Sequence, residues 1–400
     1  MSDERKPAVL AGFRRRVDHA RAQEFAETAR RLQDERAAAA NVVERLLLDT
    51  PRDEWPALAE RAELRTSGAL EWLGNFVAQV LGRDPQHALA VAELAVSIAE
   101  AIPENAYPAP ILAQLQAHAW KDLGQALLYL GRFPDALAAL DDADRRIAPF
   151  GSLAHDAGIV GTVRAETLQQ TDRFDEALRV LAECKRIFRD HADTRRLLRA
   201  GIAEGVLLHR LRRFREAREA YLLLLASMRE AMDTDSAACL HNVIGHCSVD
   251  LGDFDAAETY LTRAVVLFSD LGQPLQAAKA ELGRGRIFIR TGRVDRGIAH
   301  LRAIRAQFLL GGLIEEAGLC GLEIVDGLLL RDDAREAVAL SRRIIAEFTA
   351  ASLSKRAIHA LGYLQEAIAT RRASSTTVAN VRDYIISLRT SPEREFVAMA

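Results

Sequence analysis

The sequence predicts an all-α solenoid of stacked antiparallel helix pairs, and three observations carry that prediction. First, residues 239–268 read as helix, turn, helix. Gly245 is a small residue inside the first helix, Leu251-Gly252-Asp253 is the break, Phe254 is an apolar anchor after it, and Ala257 lies where the second helix needs a small side chain to approach the first. Second, this skeleton recurs in phase. The mid-helix small residue falls at Gly124, Ala165, Gly205, Gly245 and Gly285, with Val325 a departure. The anchor falls at Phe133, Phe174, Phe214, Phe254, Val294 and Ala334, and the small residue of the second helix at Ala136, Ala177, Ala217, Ala257, Gly297 and Ala337. In each series the step is 41 once and then 40 four times. One helix pair cannot bury its apolar stripe alone, so neighbours of the same design must stack on it. Third, the 400 residues are 49% apolar and 27% charged with only 24 Gly and 11 Pro, a composition that supports a packed core rather than disorder.

Taken in order, residues 1–49 form a charged helical segment. Arg, Glu, Gln and Ala favour helix there, while Phe13, Val17, Phe25 and Leu32 are too sparse for a wide core stripe. The Arg14–Arg16 cluster reads as solvated helix face. Residues 50–110 form a divergent first repeat or N-terminal cap. Thr50 before Pro51 marks a helix start, Trp72 precedes Ala88 across the turn at 81–85, and the prolines between 103 and 110 impose a loop. Residues 111–371 carry six repeats, the last followed by one more helix to about Arg371. Residues 372–400 hold a capping helix and tail. The hydroxyls of 374–377 are N-cap residues for a helix over 378–388, with Val381, Tyr384, Ile385 and Leu388 inward and Arg382, Asp383 and Arg389 outward.

The residues that repeat also carry a family likeness. Trp120-x2-Leu123-Gly124-x2-Leu127, followed by Ala136-x3-Leu140, resembles the tetratricopeptide repeat (TPR). The resemblance spans about residues 70–357. The unit here is 40 residues rather than 34, and it is similar to the longer repeats of bacterial signalling and regulatory TPR proteins, which phrases such as Phe268-Ser269-Asp270-Leu271-Gly272-Gln273-Pro274 also echo. The middle aromatic of the family pattern is replaced by Leu127, Leu208 and Ser248. The resemblance implies a right-handed superhelix whose first helices line a concave groove.

Catalytic signatures are missing: no phosphate-binding Gly-rich loop, no H-E-x-x-H and no G-x-S-x-G occurs, and Gly283-Arg284-Gly285 lies inside a repeat helix. Cys239, His241, His246 and Cys247 tempt a metal reading. On one helix, however, Cys239 and His246 are roughly 10 Å apart along the axis, whereas ligands sit about 2 Å from a shared zinc. No metal or cofactor is expected, and the chain does not read as an enzyme. A net charge of -3 argues against a general polyanion-binding surface. Four cysteines without a C-x-x-C pair suit reduced thiols and a cytoplasmic location. The charged N-terminus lacks a long apolar run, and no later segment approaches 18 consecutive apolar residues, so neither export nor membrane insertion is expected.

Through the resemblance, the groove positions lie six and three residues before each mid-helix small residue and one, four and five after it. The binding residues so implied are Lys121 and Tyr129 in the first unit, Arg199, Ile202 and Arg210 in the third, Asn242 and His246 in the fourth, and Lys279, Arg286, Ile289 and Arg290 in the fifth. The cations would give charge-assisted hydrogen bonds, Asn242 would bond a peptide backbone, and the apolar residues would hold anchors. The expected partner is a protein or peptide with acidic side chains or a free carboxylate, and the expected role is an interaction scaffold or adaptor. The alternative is an effector- or peptide-sensing component of a bacterial regulator.

Overall fold

A computed structural model describes residues 5–227, 233–388 and 394–397, the side chains of 5–25 excepted. The chain divides into two compact units, Met1–Asp193 and Thr194–Ala400.

In the first unit, α1 (Arg5–Asp49) is followed by a short α2 (Trp55–Leu58), then α3 (Ser67–Val80), α4 (Pro85–Ala101), α5 (Ala109–Tyr129), α6 (Phe133–Ile147), α7 (Ala154–Gln170) and α8 (Phe174–Asp190). The helix start expected at Thr50-Pro51 yields only a single 3-10 turn and the four-residue α2, and Pro51 makes no side-chain cap. The true cap lies further on, where Thr66 Oγ1 accepts from the Ala69 amide to begin α3. Glu35 of α1 reaches the same helix start. It accepts from Ser67 Oγ at 2.5 Å, from the Ser67 amide at 3.0 Å and from Tyr107 Oη at 2.6 Å. A carboxylate at a helix N-terminus satisfies orphan amides and complements the helix dipole. Burial by itself would raise the Glu35 pKa, but these donors and Arg31 hold it below the usual carboxylate value.

In the second unit come α9 (Thr194–Arg210), α10 (Phe214–Ser227), α11 (Thr234–Leu251), α12 (Phe254–Asp270), α13 (Pro274–Arg290), α14 (Val294–Leu310), α15 (Ile314–Leu330), α16 (Ala334–Ala350), α17 (Lys355–Ala369) and α18 (Ser375–Ser387). No strand occurs among the described residues, so the fold is all-α, made of stacked antiparallel helix pairs.

The helices pair because the small and large columns interlock. A Cβ added at Gly245 would stand 2.6 Å from Leu261 Cγ, one at Gly285 2.4 Å from Leu301 Cδ2, and one at Gly205 2.3 Å from the Tyr221 ring. Val325, the departure in this column, has its own explanation. Ser341 stands where the other pairs carry Leu140, Leu181, Tyr221, Leu261 or Leu301, and it is fully buried. The larger residue on one helix is matched by a smaller one on the other, as close packing demands.

Turns repeat as regularly as helices. A left-handed residue recurs every twenty positions at Asp172, Ala192 and Arg212, and again at Gly252, Gly272, Gly292, Gly312, Asp332 and Ser352. At each, the amide of the next residue reaches a carbonyl five back, as in Asp253 N to Ser248 O and Arg293 N to Phe288 O. This is the Schellman closure of a helix end. It ends first and second helices alike, giving 17-residue helices joined by three-residue turns.

Within each unit the first helices of successive pairs touch one another: α5 meets α3 and α7, and α13 meets α11 and α15. Among the described residues, no pair of second helices makes comparable contact. The first helices therefore lie on the inner side of the stack. Among the described residues no helix is long and apolar enough to cross a membrane.

Candidate functional site: the first-helix face of residues 194–388

The inner face of the second unit is crossed by a chain of ionic contacts. At the end of α9, His209 Nε2 lies 2.8 Å from Asp250 Oδ2 on α11. Asp250 Oδ1 accepts from Arg286 Nη2 of α13 at 2.6 Å. Arg286 Nε lies 3.3 Å from Glu323 Oε1 of α15, and the same oxygen accepts from Arg382 Nη1 of α18 at 2.8 Å. Arg382 also pairs with Asp383 at 3.0 Å, and Asp383 Oδ2 accepts from Arg212 Nη1 at 2.8 Å. Arg212 follows His209 by three residues, so the chain of charge returns to the helix end where it began.

Burial makes these contacts consequential. For Asp250 the loss of water would raise the pKa, but Arg286 and His209 outweigh it and hold the carboxyl far below its ordinary value. Glu323 behaves likewise: burial opposes ionisation, and Arg286 and Arg382 overcome it. Removing one member of such a set leaves an uncompensated buried charge, which costs about 3–5 kcal/mol.

The residues expected to bind a partner fall into three groups. Arg286 and Ile289 are only 7% and 3% exposed, which corrects the expectation that both face a ligand. Arg286 is spent on Asp250 and Glu323, and Ile289 fills the space beside Gly297 and Gly327. Lys121 and Tyr129 belong to the first unit and so stand apart from the others. Lys121 pairs with Asp122, while Tyr129 is half exposed. The remainder lie together in the second unit. Arg199 and Arg290 are exposed, and Ile202, Arg210 and Lys279 are partly covered, with Lys279 Nζ 3.8 Å from Glu316 Oε1. His246 Nε2 lies 3.2 Å from the Lys279 carbonyl, linking α11 to α13. Burial and the nearby Arg286 push its pKa down to about 4, so the ring is neutral at pH 7.

Asn242, one helical turn before His246, carries a buried side-chain oxygen with no hydrogen-bond donor among the described residues. Asp326, on the same face of the unit, has one oxygen in the same state, and burial raises its pKa against a hydrogen bond from Ser375. The cysteines are packing residues. Burial pushes the Cys184, Cys247 and Cys320 thiols up to about 12.

Reasoning from sequence missed the part of this face that matters most. Arg382 is not an outward residue: its side chain is 20% exposed and bonded to Glu323. A signal for it existed. Glu323 and Asp326 interrupt the apolar helix IEEAGLCGLEIVDGLLL, and a carboxylate in such a helix requires a cation from elsewhere.

Comparison with known proteins agrees with this architecture. Residues 240–269 match the family model of the tetratricopeptide repeat. Among solved structures, the chain is similar to a signal transduction ATPase with numerous domains from Pyrococcus horikoshii that has a tetratricopeptide repeat sensor. The two are 12% identical with a TM-score of 0.54, over 89% of this chain and 54% of the other. It is also similar to the apo form of RapI, at 13% identity and TM-score 0.55 over 68% of this chain and 97% of that one. Aspartyl phosphate phosphatase F from Bacillus subtilis gives 10% identity and TM-score 0.52 over 70% and 71%. At such identities the likeness is one of fold, and this chain spans about half the length of the first of them. No curated protein matches the sequence.

Proposed function

We propose, from the premise that this chain is a tetratricopeptide-repeat protein, that it is a non-catalytic, cytoplasmic scaffold or adaptor whose first-helix face in residues 194–388 binds a protein or peptide. The observation that carries this reading is the buried, donor-less side-chain oxygen of Asn242 on that face. Such a group costs about 1–3 kcal/mol when left unmade, and a turn of the partly exposed Asn242 side chain would bring it to a peptide amide laid along α11. Stacked repeats present their inner surfaces for this kind of contact.

Acidic side chains or a free carboxylate on the partner would meet Arg199 and Arg290, the exposed cations at the start of α9 and the end of α13. At the centre of the face Arg286 is already neutralised, so acidic preference belongs to the rim alone. Affinity capture from the native host tests the reading. Proteins retained by the wild type should be lost from the Asn242→Ala chain and from the Arg199→Glu, Arg290→Glu chain, and equal retention by all three refutes it.

A second reading, the sensing part of a bacterial signalling regulator, is favoured by the ionic chain that ties Arg212 to Asp383. A ligand that opened this link would free Asp383 of α18 from the turn after α9.

A further inference from the structure

A second helix of this array packs on the first helix of its own pair and on the first helix that follows. Instead α18 turns back from α17 onto α15, the first helix of the preceding pair. Its own Val378, Val381, Tyr384 and Ile385 are buried, its Arg382 supplies a cation to Glu323, and its Asp383 reaches Arg212. The helix has 13 residues, a length at which an isolated helix is marginal in water, so its order comes from what it covers.

Given the binding role proposed above, we infer that this face is a helix-docking surface on which α18 is a resident, displaceable occupant, and that the incoming partner is a helix of the same chemistry: an arginine set among aliphatic side chains and followed by an acid. The charge of the covered surface selects that partner. Asp250, Glu323 and Asp326 face α18 or its ionic chain, and Arg286 is shared between the first two. With α18 withdrawn, Glu323 loses its second cation. A neutral or acidic helix would leave that buried carboxylate under-compensated, whereas an arginine restores the pair. The acid that follows then meets Arg212 as Asp383 does.

The test uses the full-length chain and a fluorescently labelled synthetic peptide with the sequence of residues 373–388. The Arg382→Glu chain should bind this peptide about tenfold more tightly than the wild type does. Amide exchange in α18 should speed up by about tenfold, with α12 and α14 unchanged. A peptide carrying Arg382→Gln should bind the same chain about tenfold more weakly. Unchanged exchange in α18 overturns the inference because the helix does not leave. Faster exchange without peptide binding overturns it because the vacated face does not accept a helix. Should Arg382→Glu fail to fold, Arg382→Gln removes the cation without opposing two acids and is read by the same criteria. Loss of the native-host capture difference together with normal peptide binding strikes the scaffold role and leaves the docking surface standing.

Discussion

Complementary size at paired positions is the residue-scale rule of this chain, and Gly205 against Tyr221 is a close instance of it. Gly205→Ala places a Cβ about 2.3 Å from a fully buried ring, so we expect a loss of about 1–3 kcal/mol by urea denaturation. The Gly205→Val, Tyr221→Ser double variant copies the Val325 and Ser341 arrangement and should recover part of that loss. His246 supplies a second residue-scale expectation. Its folded pKa of about 4 lies below the roughly 6.5 of an unfolded chain. As pH falls, the unfolded chain therefore takes up the proton first, and the stabilisation present above about pH 6.5 is lost on the way down to about 4. The urea midpoint should drop between pH 7 and pH 5, and drop less in His246→Gln. The small columns were readable because a glycine or alanine at a fixed step has one reason to be there. Arg382 was not, because an Arg-Asp pair on a polar helix face looks solvated until Glu323, 59 positions away, is placed beside it.

Elements obey a simpler grammar than the sequence suggests. Only some inter-helix turns carry glycine, so the period of forty was visible and the period of twenty was not. Asp172, Ala192, Arg212, Asp332 and Ser352 adopt the left-handed conformation that Gly252, Gly272, Gly292 and Gly312 adopt without a Cβ penalty. Asp and Ser resemble solvated loop residues, and Ala192 resembles a helix former, so nothing in their chemistry announces the shared geometry. Ala192 is exposed at φ 53°, and Ala192→Gly should raise stability by about 1 kcal/mol in urea denaturation. No gain would mean that the turn relaxes to accept alanine. The final helix was anticipated as an element, with its buried Val381, Tyr384, Ile385 and Leu388. Its contact with α15 as well as with α17 at the end of the array was not, since a face pattern tells what a helix buries and not against which neighbour.

At the scale of the whole molecule, a stack of pairs is expected to hold together through contacts between neighbours alone. Residues 194–388 break that rule through the Arg212–Asp383 link, which joins positions 171 apart. The all-α stack was legible along the array because each unit restates the same columns. Of the face proposed to bind a partner, the sequence points to Arg199 and Arg290, which are exposed; the centre of that face depends on pairings among five helices that no local pattern encodes. The common turn geometry gives the array a parity. Because α7, α8, α9 and α11 to α16 all close in the same way, the backbone there does not distinguish odd helices from even ones, and that distinction resides in side chains alone. Gain or loss of forty residues preserves the alternation. Gain or loss of twenty would join just as smoothly in the backbone, yet it would turn every downstream inner helix outward and every outer helix inward, carrying Asp250, Arg286 and Glu323 to the wrong side of the protein.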